Sequence, residues 1–203
     1  MFKIKNAKFI TSALNITKAP PDSCYPEVAV MGRSNVGKSS LLCSLTNNRK
    51  LAKVSQTPGK TRLINYFLVD DAWYLVDLPG YGFAKVSKAE QERWSRSMEE
   101  YLAERRGIVL AVLLIDIRHD PKASDLQMLE WLRQRSYPVC VVLTKADKLS
   151  RSQMANNVRR CAKLLNCSAD ELFPYSSANG YGREQLMAFL GEILAEASVP
   201  LTP

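Results

Sequence analysis

The sequence predicts an α/β fold, a mainly parallel sheet with helices on both faces. Three observations predict it. Apolar, partly β-branched runs alternate along the chain with stretches of helical periodicity. Two of those runs, 107–116 and 138–143, are almost unbroken, as in strands buried on both faces. Each loop rich in glycine or carrying a lone carboxylate follows directly on a run, where open sheets of this kind bind their ligands.

Residues 1–24 read as an N-terminal arm packed on the main domain, with a short strand or turn. Phe2, Ile4, Phe9 and Ile10 interleave with Lys3, Lys5 and Lys8, and Ala19-Pro-Pro-Asp closes the piece. Its lysines suit either an RNA contact or a solvated edge. The first strand is 27–31. The first helix is 38–46, with Leu41, Leu42 and Leu45 on one side and Asn47-Asn-Arg-Lys as its polar stop. Residues 50–62 lack periodicity and hold a Pro-Gly turn, which predicts a flexible loop. Strands at 64–69 and 73–77, joined by Asp70-Asp-Ala, form an antiparallel pair. A second glycine-rich loop follows from Leu78. Residues 88–104 are a charged helix with Trp94, Met98, Tyr101 and Leu102 inward, a spacing that reads as packing.

The two apolar strands 107–116 and 138–143 flank a helix at 124–135 carrying Leu126, Leu129 and Leu132. A basic helix at 151–166 holds Arg151, Arg159, Arg160 and Lys163. A short last strand lies at 172–176, and an amphipathic helix at 182–197 carries Leu186, Phe189, Leu190, Ile193 and Leu194. The main domain is thus 25–197, and 198–203 is a flexible tail.

With 28 Lys and Arg against 20 Asp and Glu, the net charge of +8 fits a polyanionic partner, RNA rather than an acidic metabolite, or ordinary solubility charge. Cys24, Cys43, Cys140, Cys161 and Cys167 are odd in number and show no C-x-x-C, so they read as reduced thiols of a cytoplasmic protein. His119 has no second histidine for a zinc site. No apolar run is long enough to span a membrane, and the N-terminus lacks a signal-peptide core.

Four loops carry the chemistry. Gly32-Arg33-Ser34-Asn35-Val36-Gly37-Lys38-Ser39 matches the phosphate-loop pattern in full. Glycines let successive N–H groups turn inward on phosphate oxygens, and the helix N-terminus adds positive potential. Lys38 would reach the β- and γ-phosphates, and the Ser39 hydroxyl would ligate Mg²⁺. Asp77-Leu78-Pro79-Gly80 follows a strand: Asp77 suits Mg²⁺ through water, and the Gly80 N–H a γ-phosphate. In Thr144-Lys145-Ala146-Asp147 the carboxylate can accept from guanine N1–H and the 2-amino group, donors adenine does not present there. The Lys145 stem can cover the base. In Ser176-Ser177-Ala178, the Ala178 N–H could donate to guanine O6.

In this order the four elements resemble those of a translation-factor-class GTPase. Together with Thr57-Pro-Gly-Lys-Thr-Arg, the wording of the phosphate loop and Asp-Leu-Pro-Gly-Tyr-Gly-Phe-Ala closely resemble the EngB family, also called YihA or YsxC, over residues 5–195. The resemblance implies a three-layer α/β/α P-loop GTPase (Ras-like) fold with a mostly parallel six-stranded sheet and one antiparallel strand. It implies binding of GTP and GDP with Mg²⁺, slow hydrolysis, action as a monomer on the large ribosomal subunit or its precursor, and a link to cell division and septation. Carried over, Gly59-Lys60-Thr61-Arg62-Leu63 matches the first switch, with Thr61 as second Mg²⁺ ligand and Thr57 as its rival. Thr144 stands where the wider class has Asn, as in EngB, so its hydroxyl offers the base fewer hydrogen bonds.

Catalysis would fall to Lys38, Thr61, Gly80 and Asn35. Many small GTPases have Gln directly after D-x-x-G to orient the attacking water; here Tyr81 stands there, which implies slow hydrolysis without a named side-chain base. Asn35 either helps hold a K⁺ ion against the phosphates, as in potassium-dependent GTPases, or only shapes the loop. Lys85, Lys88, Arg93, Arg159 and Arg160 are candidate RNA contacts or a solvated face. Two other readings compete with the assembly factor. A phosphate-loop nucleotide kinase would need an arginine-rich lid and would leave Asp147 without a purpose. A GTP-dependent scaffold for division proteins would need no ribosomal contact.

Overall fold

The computed structural model describes residues 2–22, 25–48, 51, 63–81 and 98–197. The strands are β1 (Ala7–Ala13), β2 (Glu27–Gly32), β3 (Ile64–Val69), β4 (Trp73–Asp77), β5 (Ile108–Asp116), β6 (Val139–Thr144) and β7 (Leu172–Pro174). The helices discussed are α1 (Lys38–Thr46), α2 (Ala123–Gln134), α3 (Arg151–Leu165) and α4 (Arg183–Ala197), and residues 98–104 are also helical. The sheet order is β1-β3-β4-β2-β5-β6-β7, and among these strands β3 alone runs against the rest.

Strand period sorts the core into two layers. Val28 and Val30 of β2 face α1 and α4, through Leu41, Leu42, Leu45, Leu186 and Leu190. Ala29 and Met31 face the other side, with Tyr101 and Leu102, Leu129 and Leu132 of α2, and Cys161 and Leu165 of α3. The inward set expected for the charged helix, Met98, Tyr101 and Leu102, is buried; Trp94 and the tail 198–203 lie outside the described residues.

The sheet has seven strands rather than six, because the N-terminal arm adds β1 antiparallel to β3. Only Ala7 and Ala13, at the two ends of β1, are buried, so no alternation marks it in sequence. The hairpin after β3 holds the arm in place. Asp70 and Asp71 both take left-handed φ, 52° and 53°, as a tight hairpin turn requires. The Asp70 carboxylate accepts the Lys5 and Asn6 N–H groups at 3.0 and 2.7 Å.

At the opposite end of the sheet from the phosphate loop, Glu27 is fully buried. Its carboxylate is ion-paired with Arg105 and accepts from the Tyr101 hydroxyl at 2.7 Å, and Arg105 Nη1 donates to the Pro20 carbonyl at 2.7 Å. This charge cluster ties the end of the helical segment 98–104 to the start of β2. Arg105→Met should cost about 3–5 kcal/mol, since it strands a buried carboxylate. Adding Glu27→Leu should recover most of that loss, as read from urea unfolding midpoints.

Candidate functional site

β2 ends at Gly32 where its backbone passes close to β5. A Cβ there would lie 3.0 Å from Leu114 and from Val36. The chain then turns through Asn35 (φ 61°) and Gly37 (φ 108°), left-handed positions that Gly takes freely and Asn tolerates. Lys38 opens α1, so the helix N-terminus meets the loop.

Neighbouring loops hold this loop by its carbonyl oxygens. The Tyr81 N–H donates to Gly32 O (3.3 Å), Lys145 Nζ to Asn35 O (2.8 Å), and Thr144 Oγ1 to Val36 O (2.7 Å). The Ser34 N–H donates to Tyr81 O at 3.1 Å, completing a short parallel bridge. Gly80 lies against it; a Cβ there would be 3.4 Å from the Ser34 nitrogen. Val36 is buried and plugs the loop into the core beside Leu114.

Lys38 crosses to Asp77 at the end of β4. The two are ion-paired with side chains 12% and 2% exposed. Asn65 Nδ2 on β3 donates to the other Asp77 oxygen at 3.3 Å. Ser39 sits half-buried in the first turn of α1, and Leu78 and Pro79 are buried behind Gly80. One buried carboxylate and one hydroxyl are hard oxygen donors too few to cage a metal alone. Such a set fits Mg²⁺, which keeps several waters and shares its shell with phosphate oxygens.

The far side of the site rests on β6 and β7. Asp147 Oδ1 accepts from Ser176 Oγ at 2.7 Å, and its other oxygen pairs with exposed Lys148 at 3.0 Å. The Ser176 hydroxyl bond holds the Asp147 carboxyl below the usual carboxylate range. The Ala178 N–H donates to Ser176 Oγ at 3.1 Å, so one serine hydroxyl links the Asp147 carboxylate to the Ala178 main chain. The Ala146 N–H donates to Tyr175 O at 3.1 Å, and the Tyr175 hydroxyl donates to Ser44 Oγ on α1 at 2.7 Å. Arg183, opening α4, caps the end of α1 through the Ser44 and Leu45 carbonyls at 2.9 and 3.1 Å. A cleft of about 610 Å³ runs between these parts, lined by Gly37, Thr144, Lys145, Asp147, Ser177 and Ala178 among others.

Two residues behave otherwise than their sequence positions implied. Thr144 is buried, and its one hydroxyl proton is shared between Val36 O and Ile115 O (3.2 Å), so it tethers the phosphate loop instead of presenting to a base. The Tyr81 phenol donates to Asp125 on α2 at 2.9 Å; burial and then that carboxylate push its pKa far up. Asp116, at the end of β5, joins the site although it belongs to none of the four motifs. It accepts from Lys145 Nζ at 2.9 Å and from Arg118 Nε and Nη2 at 2.9 and 2.8 Å. Burial works to raise its pKa, but hydrogen bonds from Arg118 and Lys145 outweigh burial and hold the carboxyl well below the usual range. The lone acidic residue closing an apolar strand was the signal.

Leu63 lies half-buried just before β3. Gly59, Lys60, Thr61 and Arg62, the rival Thr57, and Lys85, Lys88 and Arg93 lie outside the described residues.

Residues 27–145 match the family model described as 50S ribosome-binding GTPase. Fold, cleft and this match define a GTPase of the phosphate-loop class. The probable GTP-binding protein EngB of Clostridium beijerinckii is 51% identical over 186 residues, 91% of this chain and 93% of the relative. A crystal structure of a probable GTP-binding protein EngB superposes with a TM-score of 0.69 at 25% identity, covering 84% of this chain and 99% of its own. Era in complex with MgGDPNP and a segment of 16S ribosomal RNA shares the fold, with a TM-score of 0.66 at 23% identity over 88% of this chain and 59% of its own. The chain belongs to the EngB family.

Thr144→Val should destabilise the fold by about 1–3 kcal/mol, because it leaves the Val36 carbonyl without its donor. Thr144→Ser should restore most of the loss. Denaturant unfolding of the nucleotide-free protein checks both, and a pure base contact would leave that measurement unmoved.

Proposed function

We propose that this GTPase is a GTP-operated switch in assembly of the large ribosomal subunit, acting in the cytoplasm as a monomer and, through that role, supporting normal division and septation. The observation that carries the reading is a cleft that joins the phosphate loop at Gly37 to Asp147 and Ala178. A guanine nucleotide spans those two ends. The matched family's description and the charge of +8 support a ribosomal partner made largely of RNA.

In this reading residues 25–197 are the working unit, with 1–24 as its arm. Gly32–Ser39 take the phosphates, with Lys38 leaving Asp77 for the β- and γ-oxygens. Ser39, Thr61 and Asp77 are the Mg²⁺ residues. Mg²⁺ held by these residues would supply positive charge to offset the charge that develops on the phosphates during hydrolysis. Asp147 accepts from guanine N1–H and the 2-amino group, the Ala178 N–H leaves Ser176 Oγ for O6, and the Lys145 stem covers the base while Asp116 and Asn35 O hold its ammonium. Gly59–Leu63 and the Asp77–Gly80 loop close on the γ-phosphate and relax after hydrolysis.

Intrinsic turnover is slow because the group after Gly80 is occupied elsewhere. The Tyr81 hydroxyl is bonded to Asp125, away from any attacking water. Asn35, exposed at the rim with its carbonyl held by Lys145, is the residue we assign to K⁺. A cation held there would supply positive charge against the charge that develops in the transition state.

Cosedimentation with large-subunit particles tests the switch. Binding should be strong with a non-hydrolysable GTP analogue, weak with GDP, and fall steeply as salt rises. Equal pelleting in both nucleotide states would remove the switch. Hydrolysis should run several-fold faster in KCl than in NaCl, by about one hydrogen bond's worth of stabilisation or more; equal turnover would leave Asn35 only a loop-shaping role.

A further inference from the structure

Behind Asp77 lies a row of polar side chains with no part in the roles above. Ser12 on β1, Asn65 on β3 and Asp77 on β4 are direct cross-strand partners. Ser12 Oγ donates to Asn65 Oδ1 at 2.7 Å. That bond orients the amide so that Nδ2 faces Asp77 Oδ2 at 3.3 Å. Turned over, the amide would set its own oxygen against a carboxylate. Asn65 is 1% exposed and Asp77 2%, so water does not substitute for either partner cheaply.

A bulge in β1 creates the alignment. Phe9 pairs with Phe67 and Thr11 with Tyr66, which makes Ile10 the extra residue. Were Ile10 paired in regular register with Tyr66, Thr11 would fall opposite Asn65 and Ser12 opposite Ile64. Ile10 is 43% exposed, so burial does not account for its insertion. Bulges commonly re-aim a neighbouring side chain next to a functional site.

We propose that Asn65, oriented by Ser12, is a positioning residue for the metal carboxylate. It holds one Asp77 oxygen fixed while the other exchanges Lys38 for the hydration shell of Mg²⁺. The N-terminal strand is thereby part of the metal site. This inference rests on the reading of Asp77 as the Mg²⁺ carboxylate. A carboxylate already tethered at one oxygen has less freedom to lose when the metal arrives.

The test uses the full chain loaded with a fluorescent GDP analogue. Nucleotide release is followed across a Mg²⁺ titration and separately in EDTA, for the native protein, Asn65→Ala and Ser12→Ala. Asn65→Ala should raise the Mg²⁺ concentration that half-maximally slows release by about 10-fold or more. Ser12→Ala should raise it by about 3–5-fold. Release in EDTA should stay at the native rate in both. Should Asn65→Ala fail to fold, Ser12→Ala, at a half-buried edge position, carries the same test. A native Mg²⁺ midpoint in the variants, or an equal change with and without Mg²⁺, overturns the inference and leaves the nucleotide reading standing. A native chain whose release ignores Mg²⁺ overturns the reading of Asp77 itself, and this inference with it.

Discussion

The site depends on the phosphate loop being held from outside, by its carbonyls. Tyr81, Lys145 and Thr144 donate to the carbonyls of Gly32, Asn35 and Val36. A loop that must take an anion on N–H groups has to turn its carbonyls the other way. Oxygens turned inward to a protein's interior need donors. These come from two other loops, so the glycine-rich turn is stable only where β2, β4 and β6 end together. The parallel sheet provides that common edge.

The same logic explains the ion pair at the centre. Lys38 and Asp77 are almost out of water, and each would be costly there alone. Paired, they keep the pocket intact without a ligand. In the proposed reading, a polyphosphate with its metal would offer each of them a partner of the opposite sign, so ligand entry would exchange one satisfied arrangement for another. Tyr81 belongs to a different economy of contacts. Its main chain braces the phosphate loop while its phenol braces α2, so both ends of the residue serve architecture.

Much of this was legible in the sequence wherever the determinants are local. The strand, loop and helix around Gly32–Ser39 are dictated by residues within a few positions of one another, and their expected bounds match the structure closely. The β3–β4 hairpin is likewise written in Asp70-Asp71-Ala72. Contacts across long separations were not legible. Thr144 meets Val36 across 108 residues, and Tyr81 meets Asp125 across 44. A threonine in a base-recognition motif and a tyrosine in a glutamine's place carry no mark of those partners. β1 was only half visible, since its buried residues stand at its ends and a bulge breaks its register. Asn65 is one polar residue in the run 64–69, and no sequence neighbour marks its partners.

The pairing of β1 bears on how the chain is made. A ribosome releases the N-terminus first, at roughly 5–20 residues per second. Yet Ser12 bonds to a residue 53 positions further on. The first strand therefore waits, for seconds, while the centre of the sheet is still being synthesised. During that wait Phe9 and Ile10, the side chains that remain 39% and 43% exposed even in the finished fold, have only Lys3, Lys5 and Lys8 to keep them from sticking to other nascent chains. Charges flanking an apolar stretch act generally as gatekeepers against aggregation, and Lys3, Lys5 and Lys8 stand in that position beside Phe9 and Ile10.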